Sequence, residues 1–277
     1  MLKITKIALL VLLALTSQVF AQVEVSKGEF DSQKVFITGF DNYEPWGTYN
    51  AKEMTFDTVF TDFITAMDNR YNMRLHLNFE SDYNERVREV RRGDIDLIFG
   101  IYYDTETYEG LEYIYPAVTS NPITIVMLPE RITKVKNIDD LKSLKGARHT
   151  GEKWSDYVDA QVKSFDIVEV SNSYELYGKL FRGEVDYLFI GHYFGQIEAI
   201  KLGIENEVSF SKNVIWDMPL FVGVSKMTEK RGFLRGVIQK LSEDPNAKAK
   251  IQERIQEEIE RCREENRGTV PPSYSIY

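Results

Sequence analysis

The sequence predicts an α/β fold made of two lobes of like design, and one repeated stretch carries most of this prediction. Residues 91–118 indicate the end of a helix, a tight turn and a buried strand, because Gly93 follows an apolar helical face and Leu97–Phe99 is a short continuous apolar run. Residues 182–191 repeat residues 92–100 with one residue added before the final glycine. Two such units favour two related lobes; the other interpretation is that an α/β protein contains the pattern twice by chance.

Strand and helix patterns alternate along the rest of the chain. Alternating or continuous apolar runs predict strands at Lys34–Phe40, Met73–Phe79, Leu97–Phe99, Ile123–Leu128, Asp166–Val170, Val185–Ile190 and Leu220–Val224. Apolar residues at helical spacing predict helices at Phe56–Met67, Asp82–Arg92, Ile138–Leu144, Tyr174–Leu180, Tyr193–Leu202, Phe233–Leu241 and Ile251–Cys262. Gly100 is expected to end its strand and to free backbone at the carboxyl end, where ligands bind in open α/β sheets.

Residues 1–21 are predicted to be an export signal. Two lysines precede the short apolar core Ile7–Leu15, and Val19-Phe20-Ala21 fits the small-residue rule for cleavage, so the mature chain is expected to begin at Gln22. The apolar core is short for a membrane span, although an uncleaved anchor is the alternative. The expected location is the periplasm.

Charge and cysteine content exclude several classes of function. The formal net charge is -9, and removing the two positive charges of the signal gives -11 for the mature chain. Nucleic acids and anionic membranes need a basic face, so neither is an expected partner. The single cysteine rules out an intramolecular disulfide, and His149, one of three histidines, has no metal-ligand partner at useful spacing. We expect no metal and no cofactor.

The repeated motif carries a resemblance to a known family. Gly93-Asp94-Ile95-Asp96 and Gly183-Glu184-Val185-Asp186 each lead into an apolar strand and a glycine, and Tyr115-Pro116 follows the first copy. This pattern resembles the periplasmic solute-binding proteins of the amino-acid-binding class, family 3, which are the receptors of ABC importers. The resemblance implies a two-lobe periplasmic binding protein type II fold with two hinge crossings.

The same resemblance implies how the chain is divided between the lobes. Lobe one is expected to comprise residues 22–119 and 220–277, and lobe two residues 120–219. The first crossing is expected near Tyr115–Pro122 and the return crossing near Val214–Pro219, because prolines stiffen the flanks of both.

Aromatic residues after the first strand are candidate ligand contacts. The resembling receptors place an aromatic residue after a proline in this loop, where it stacks on the ligand, and Trp46 with Tyr43 matches that position. Stacking on a flat or cationic ligand contributes roughly 0.5–2 kcal/mol. The alternative is a turn whose aromatic rings pack on the lobe.

The amino-acid clamp of the resembling receptors is altered here. Their segment after the first repeated strand typically reads T-x-E-R, and its arginine holds the α-carboxylate of the ligand through a planar fork. Counted from Gly100, Asp104 stands at the threonine position and Thr107 at the arginine position, while Gly191 or His192 replaces the acid that pairs with the ligand ammonium. Tyr102 and Asp104 remain as candidate ligand contacts in this segment; the alternative is that its tyrosines cover the lobe surface.

Residues 145–152 are predicted to form a loop that opens a helix near Lys153. In the resembling receptors the N–H groups of such a loop bind the ligand carboxylate, as a helix N-terminus favours anions. Arg148, Thr150 and Gly151 are therefore candidate ligand contacts, with Arg148 replacing the arginine lost from the opposite lobe. The alternative is a solvated basic turn.

These features favour a binding protein that captures a small polar solute between its lobes, as an expected monomer, for an inner-membrane permease or a sensor. No nucleophile stands in a recognisable pattern, so we expect no enzyme activity. Two alternatives remain. One is an enzyme resembling the cyclohexadienyl dehydratases, with Asp104 and His149 as an acid–base pair. The other is a periplasmic sensor or partner subunit.

Overall fold

The computed structural model describes residues 34–105, 109–212 and 216–267. The predicted export signal, residues 1–21, lies outside the described residues. The same holds for the tail Thr269–Tyr277, for Val214-Ile215 of the predicted return crossing, and for Thr107 at the position of the missing clamp arginine.

The described chain alternates strands and helices. The strands are β1 (Lys34–Thr38), β2 (Asn42–Tyr43), β3 (Gly47–Asn50), β4 (Thr55–Asp57), β5 (Arg74–Leu77), β6 (Leu97–Tyr102), β7 (Leu111–Met127), β8 (Lys145–His149), β9 (Asp166–Val170), β10 (Tyr187–Gly191), β11 (Ser209–Phe210) and β12 (Trp216–Ser225). The helices are α1 (Thr61–Tyr71), α2 (Tyr83–Arg92), α3 (Pro129–Ile132), a 3-10 helix (Ile138–Ser143), α4 (Asp156–Val162), α5 (Ser173–Phe181), α6 (His192–Lys201), α7 (Arg231–Glu243) and α8 (Pro245–Glu265). In the part of the chain that is described, no helix has both the length and the apolar character needed to cross a membrane.

One continuous sheet runs through the molecule in the order β5-β1-β6-β12-β7-β10-β8-β9, with β11 added to β7. The strands β5, β1 and β6 are parallel at one end, and β10, β8 and β9 are parallel at the other. Between them, β7 and β12 form a long antiparallel pair, from Trp216 opposite Ile123 to Ser225 opposite Leu111. The two ends therefore have the same design, joined by two strands.

Separate apolar clusters lie at the two ends of this sheet. At one end, strands β1 and β6 pack with α1, α7 and α8, and the first half of β7 contributes Ile114 and Val118. At the other end, the second half of β7 packs with β10 and with helices α4 and α5. Strand β12 is divided in the same way, because Met218 joins the second cluster and Leu220 joins the first. We call the two ends lobe one and lobe two.

The predicted lobe boundaries fall inside the β7–β12 pair. Thr119 lies opposite Leu220, and Ser120 lies opposite Pro219. The chain thus passes from lobe to lobe as an extended ribbon of two hydrogen-bonded strands. The first predicted crossing and the described part of the return crossing, Trp216–Pro219, lie in strands rather than loops.

The repeated aspartate has the same structural role in both lobes. In lobe one, the Asp96 N–H donates to the Phe36 carbonyl at 3.0 Å, and Asp96 Oδ2 accepts from the Phe36 N–H at 2.8 Å. In lobe two, Asp186 forms the same pair of bonds with Lys145, at 2.7 and 3.0 Å. The preceding glycines, Gly93 and Gly183, have φ of +91° and +69°, a region that a side chain disfavours. The repeat therefore encodes a turn that is tied to strand β1 in lobe one and to strand β8 in lobe two.

Three local predictions are wrong. Phe56 lies in β4 and the helix begins only at Thr61, because residues 55–57 pair with β3. Gly100 does not end its strand, since β6 continues to Tyr102 opposite a register shift in β12. The predicted loop 145–152 begins with strand β8, which is held on both sides by β9 and β10.

Candidate functional site

Tyr43 lies at the centre of the contact between the lobes. It ends strand β2, and pairing of β2 with β3 holds it at the edge of lobe one. Its ring stacks on Phe194 of lobe two, with ring centroids 4.6 Å apart, and its hydroxyl donates to Glu152 Oε1 at 3.4 Å. Burial, and to a lesser extent the Glu152 carboxyl, raise the pKa of Tyr43 well above its ordinary value, so the hydroxyl keeps its proton.

Asn121 supplies polar atoms from the crossing strand β7 to the same place. It is fully buried, and its Nδ2 donates to the Tyr102 hydroxyl at 2.7 Å. Its side chain also hydrogen-bonds Tyr43. Burial raises the pKa of Tyr102, while the bond from Asn121 lowers it in part. Two tyrosine hydroxyls of lobe one thus meet one amide on the hinge.

Glu152 brings a carboxyl group from lobe two. It follows the exposed turn Thr150-Gly151, and its N–H donates to the His149 carbonyl at 3.4 Å. Burial raises the pKa of Glu152 to about 8, although the positive charge of Arg148 and the Tyr43 hydrogen bond oppose this rise. Glu152 Oε2 and Asn121 Oδ1 are both buried, and neither has a hydrogen-bond partner among the described residues.

Further contacts join the lobes around this centre. Lys201 of α6 forms an ion pair with Glu44 at 2.5 Å, and Arg263 of α8 forms one with Glu205 at 3.1 Å. Ile197 and Ile200 of α6 belong to the apolar cluster of lobe one, where they pack with residues of α8. The lobes are therefore closed on each other through side chains of the protein itself.

Comparison with known proteins identifies the fold. No family model and no curated protein matches the chain. Solved structures do match. The GluR0 ligand-binding core in complex with L-glutamate has a TM-score of 0.64 and 15% identity, covering 84% of this chain and 100% of that chain. A substrate-binding protein of an amino acid ABC transporter from Streptococcus pneumoniae, bound to L-arginine, has a TM-score of 0.60 and 14% identity over 82% of this chain and 94% of that chain.

A third match is a histidine kinase sensor domain with similarity to periplasmic binding proteins, with a TM-score of 0.59 and 14% identity over 87% of this chain and 99% of that chain. The chain has the two-lobe fold of the periplasmic binding proteins. The predicted fold class is thereby confirmed, while identities of 14–15% carry over the fold and not the ligand.

In this binding-protein fold, Gly191, one of the two positions expected for the acid of the ammonium clamp, has no space for a side chain. A Cβ added to Gly191 would lie 2.6 Å from the Tyr43 hydroxyl oxygen and 3.0 Å from Asn121 Nδ2. Real Cβ atoms do not approach so closely. Tyr43 therefore fills the space beside this strand end, and Gly191 is the residue that permits it.

Arg148 lies on strand β8, not in a loop, and its guanidinium group is engaged within lobe two. Nε and Nη2 donate to Glu169 Oε1 at 3.0 and 2.6 Å, and the group lies 5.7 Å from the centre of the Trp154 ring. Nη1 is 3.9 Å from Asp159 Oδ1. The carboxylate-binding role of Arg148 stays a prediction, and its present partners are acids of its own lobe.

Trp46 lies in the apolar core of lobe one. The residue is 0% exposed, and its ring packs on Phe60 with centroids 6.2 Å apart. The ring edge also meets Tyr193 of lobe two at 5.9 Å. Stacking of Trp46 on a ligand stays a prediction; the contacts seen here match the alternative in which the ring packs on the lobe.

The other predicted contacts lie at the rim. Asp104 is partly exposed beside Tyr113, whose hydroxyl accepts from the Asp104 N–H at 3.4 Å. His149 lies in lobe two, 3.4 Å from Ser173 Oγ and edge-on to Phe194, and burial lowers its pKa. An acid–base pair of Asp104 and His149 stays a prediction. Within the described ranges, no group of three or more His, Cys, Asp or Glu side chains has the arrangement of a metal site.

Sequence reasoning did not single out Glu152, Asn121 or Phe194. Asn121 was named only as part of a crossing, and Glu152 only as the end of a loop. A polar residue inside a predicted buried crossing strand is a usable signal, because such a side chain needs a partner. Burial of Glu152 depends on the approach of the other lobe, and no local pattern encodes that.

Proposed function

We propose that this protein is a solute-binding protein that captures a small polar solute between its two lobes for an ABC importer. The two-lobe fold supports this proposal. The single observation that carries it is the meeting of polar groups from both lobes and from the hinge at one buried point, namely Tyr43, Tyr102, Asn121 and Glu152. Convergent polar groups in a mostly apolar cleft are typical of small-molecule sites.

Solute binding would change which contacts form between the two lobes. The ribbon formed by β7 and β12 joins the lobes, so their opening and closing concentrates in a short stretch of each strand. A solute shifts the population towards the closed form only if it interacts more strongly with that form. In this proposal the solute displaces the bond between Tyr43 and Glu152 and makes contacts with both lobes in its place.

The proposed setting follows from the predicted export signal. We propose that the chain is cleaved after Ala21, acts in the periplasm as a monomer and delivers its solute to an inner-membrane permease. Mass spectrometry of the exported protein tests the cleavage site, because a mature N-terminus at Gln22 gives a defined mass.

A thermal-shift screen tests the binding function. The mature protein is heated with amino acids, polyamines, dipeptides, small carboxylates and sugars. A solute that binds only the folded state stabilises it by RT ln(1 + [L]/Kd), which is about 2.7 kcal/mol at a hundredfold excess over Kd. We expect one chemical class to raise Tm, with calorimetry confirming one solute per chain. If no class raises Tm, and calorimetry detects no binding, the proposal is wrong.

A sensor role is the second candidate. It is favoured by the matching histidine kinase sensor domain and by the side-chain contacts that close the lobes, such as the ion pair between Lys201 and Glu44. Crosslinking in the native periplasm separates the candidates, because an importer receptor is captured with a permease and a sensor subunit with a signalling protein.

We further propose that the protein is not an enzyme. In the polar centre, the hydroxyl that lies beside a carboxyl is that of Tyr43, and burial keeps it protonated, which makes it a poor nucleophile. Turnover of a cyclohexadienyl-type substrate that the substitution Asp104→Asn abolishes would overturn this proposal.

A further inference from the structure

We propose that the site binds the positively charged end of its solute, an ammonium or guanidinium group, and that the Glu152 carboxylate and the Asn121 amide oxygen hold it. The inference rests on the proposed solute-binding function and assigns the chemical class of the solute. It also assigns a role to the Tyr43 hydroxyl, which occupies the place of that charged group in the closed molecule.

The first step is that the buried centre has unused acceptors. Glu152 Oε2 and Asn121 Oδ1 accept no hydrogen bond from any described residue, although both atoms are inaccessible to solvent. A buried polar atom without a partner destabilises the folded state. When Glu152 is ionised both atoms are acceptors, so the group that would satisfy them is a donor. Ammonium and guanidinium groups carry several donors and no acceptor.

The second step is that the donor now present fits poorly. The Tyr43 hydroxyl has one proton, and its bond to Glu152 Oε1 is long, at 3.4 Å. Hydrogen bonds from a cation to a carboxylate are shorter, about 2.7–2.9 Å, and stronger. The hydroxyl also receives a hydrogen bond from Asn121 and lies against Gly191. A cationic donor that replaces this hydroxyl would therefore meet the carboxyl, the amide and a strand end without a side chain.

The third step is the charge around the carboxyl. Arg148 is the nearby cation, and it is already bound by Glu169 and lies 3.9 Å from Asp159. The group of four side chains thus contains three acids and one base. Burial raises the pKa of Glu152 to about 8, and a cation bound beside the carboxyl would lower this pKa, so that the proton is released to solvent as the cation binds. A cation is favoured here, and an anion would meet uncompensated acids.

The aromatic surroundings agree with this assignment. The rings of Phe194 and Tyr102 lie beside Tyr43, with Phe194 stacked on it and Phe40 between Tyr43 and Tyr102. Cations are attracted electrostatically to the faces of aromatic rings. The site therefore offers a buried acid together with π faces, and its clamp needs no carboxylate on the solute.

Calorimetry with three small probes tests the inference on the mature protein. L-Arginine carries a guanidinium group and a carboxylate, agmatine is the same molecule without the carboxylate, and glutarate is a dicarboxylate without a cationic group. We expect L-arginine and agmatine to bind with affinities within a few-fold of each other and glutarate not to bind. Binding at pH 7 should release a proton from Glu152, which titrations in two buffers of different ionisation enthalpy detect.

Three variants assign the roles. Glu152→Gln should weaken the binding of both cations at least about tenfold, since a buried charge partner is lost. Tyr43→Phe keeps the ring and removes the competing hydroxyl, so it should strengthen binding several-fold. Glu184→Gln is the matched control, because it removes a carboxylate of the same lobe that pairs with Lys179 and Arg182 at the surface, and it should leave affinity unchanged.

The outcomes separate this inference from the proposed function. If a neutral or acidic solute of the wider screen binds, the cations do not, and Glu152→Gln binds that solute normally, then the cation assignment is wrong and solute binding stands. If no solute of any class binds, both are wrong. Circular dichroism of each variant confirms that it is folded before its affinity is compared.

Discussion

The electrostatics of the closed form depend on the ionisation of the Glu152 carboxyl group. Its ordinary pKa is 4.5, and burial raises it to about 8 in the folded protein. Between these values the folded protein holds a proton that the unfolded chain has released. Folding stability that depends on Glu152 is therefore fully present below pH 4.5 and is lost as pH rises through about 8.

The direction of this pH dependence of stability gives a prediction for the substitution Glu152→Gln. Glutamine keeps the shape of the protonated acid and does not titrate. The wild-type protein should lose more stability than the variant when pH is raised from about 5 to about 9, and Tm followed by circular dichroism measures the difference. Parallel Tm profiles for the two proteins would contradict the assignment of the titration to Glu152.

The repeated aspartates give a second prediction, because the same turn is buried to different extents in the two lobes. Asp96 is 4% exposed and also pairs with Lys230 at 2.8 Å. Asp186 pairs with Arg131 at 2.7 Å, and these two side chains are 32% and 41% exposed. Asp96→Ala should lower the free energy of unfolding by about 3 kcal/mol, since it removes a buried carboxylate that bonds the Phe36 N–H and leaves the partly buried Lys230 without this partner.

Asp186→Ala is the matched comparison for the other lobe. Its cost should be smaller, since Arg131 is able to reach water when the carboxylate is removed. Urea unfolding of both variants measures the two free energies. Equal losses would show that the backbone bonds of the turn, common to both lobes, outweigh the difference in ion-pair burial.

Among the helices and strands, β8 is an element that the sequence does not predict. Its five residues include no run of apolar side chains, and its glycine and basic residues are typical of a loop. The strand forms because β9 and β10 lie on either side of it and pair with its backbone. Helix α2, by contrast, is predicted as Asp82–Arg92 with Gly93 just past its end, and it spans Tyr83–Arg92, because its apolar spacing and its terminal glycine are local signals.

Gly146 within β8 provides a prediction at this scale. A Cβ at this position would lie 2.4 Å from the Tyr187 ring, which is packed in the core of lobe two. Gly146→Ala should therefore destabilise the protein by about 1–3 kcal/mol through overpacking. The control is Gly232→Ala in helix α7, where a Cβ meets no atom within 4 Å; this change should be neutral or stabilising by up to about 1 kcal/mol. Thermal unfolding of the two variants checks the contrast.

The sequence predicts only part of the candidate site, because some of its contacts join residues that are distant in the chain. Tyr43 and Tyr102 are candidates because the resemblance to the family 3 receptors points to the loop after the first strand and to the segment after Gly100. The partners of these tyrosines, Asn121 and Glu152, become buried only when the hinge and the second lobe are in place. Local periodicity reports which face of an element is apolar, but it does not report which distant polar groups that face will meet.

At the scale of the whole molecule, the ion pair between Lys201 and Glu44 gives a test of closure. Lys201→Glu places two acids together across the lobes and should favour a more open form, which small-angle X-ray scattering detects as a larger radius of gyration. The charge swap Lys201→Glu with Glu44→Lys restores opposite charges and should restore the compact form. If the single variant stays as compact as the wild type, the apolar contacts of α6 with α8 alone hold the lobes closed.

The chain segments that supply the two apolar clusters determine the order in which the lobes can fold during synthesis. The cluster of lobe two is drawn from one unbroken stretch, Ile123 to Met218, whereas the cluster of lobe one needs both the first strands and helices α7 and α8. During vectorial synthesis or export, lobe two has all its parts before lobe one does. Helix α8, the last of the described helices, packs on α6 of lobe two and on α1 and α7 of lobe one, so its synthesis completes these contacts between the lobes.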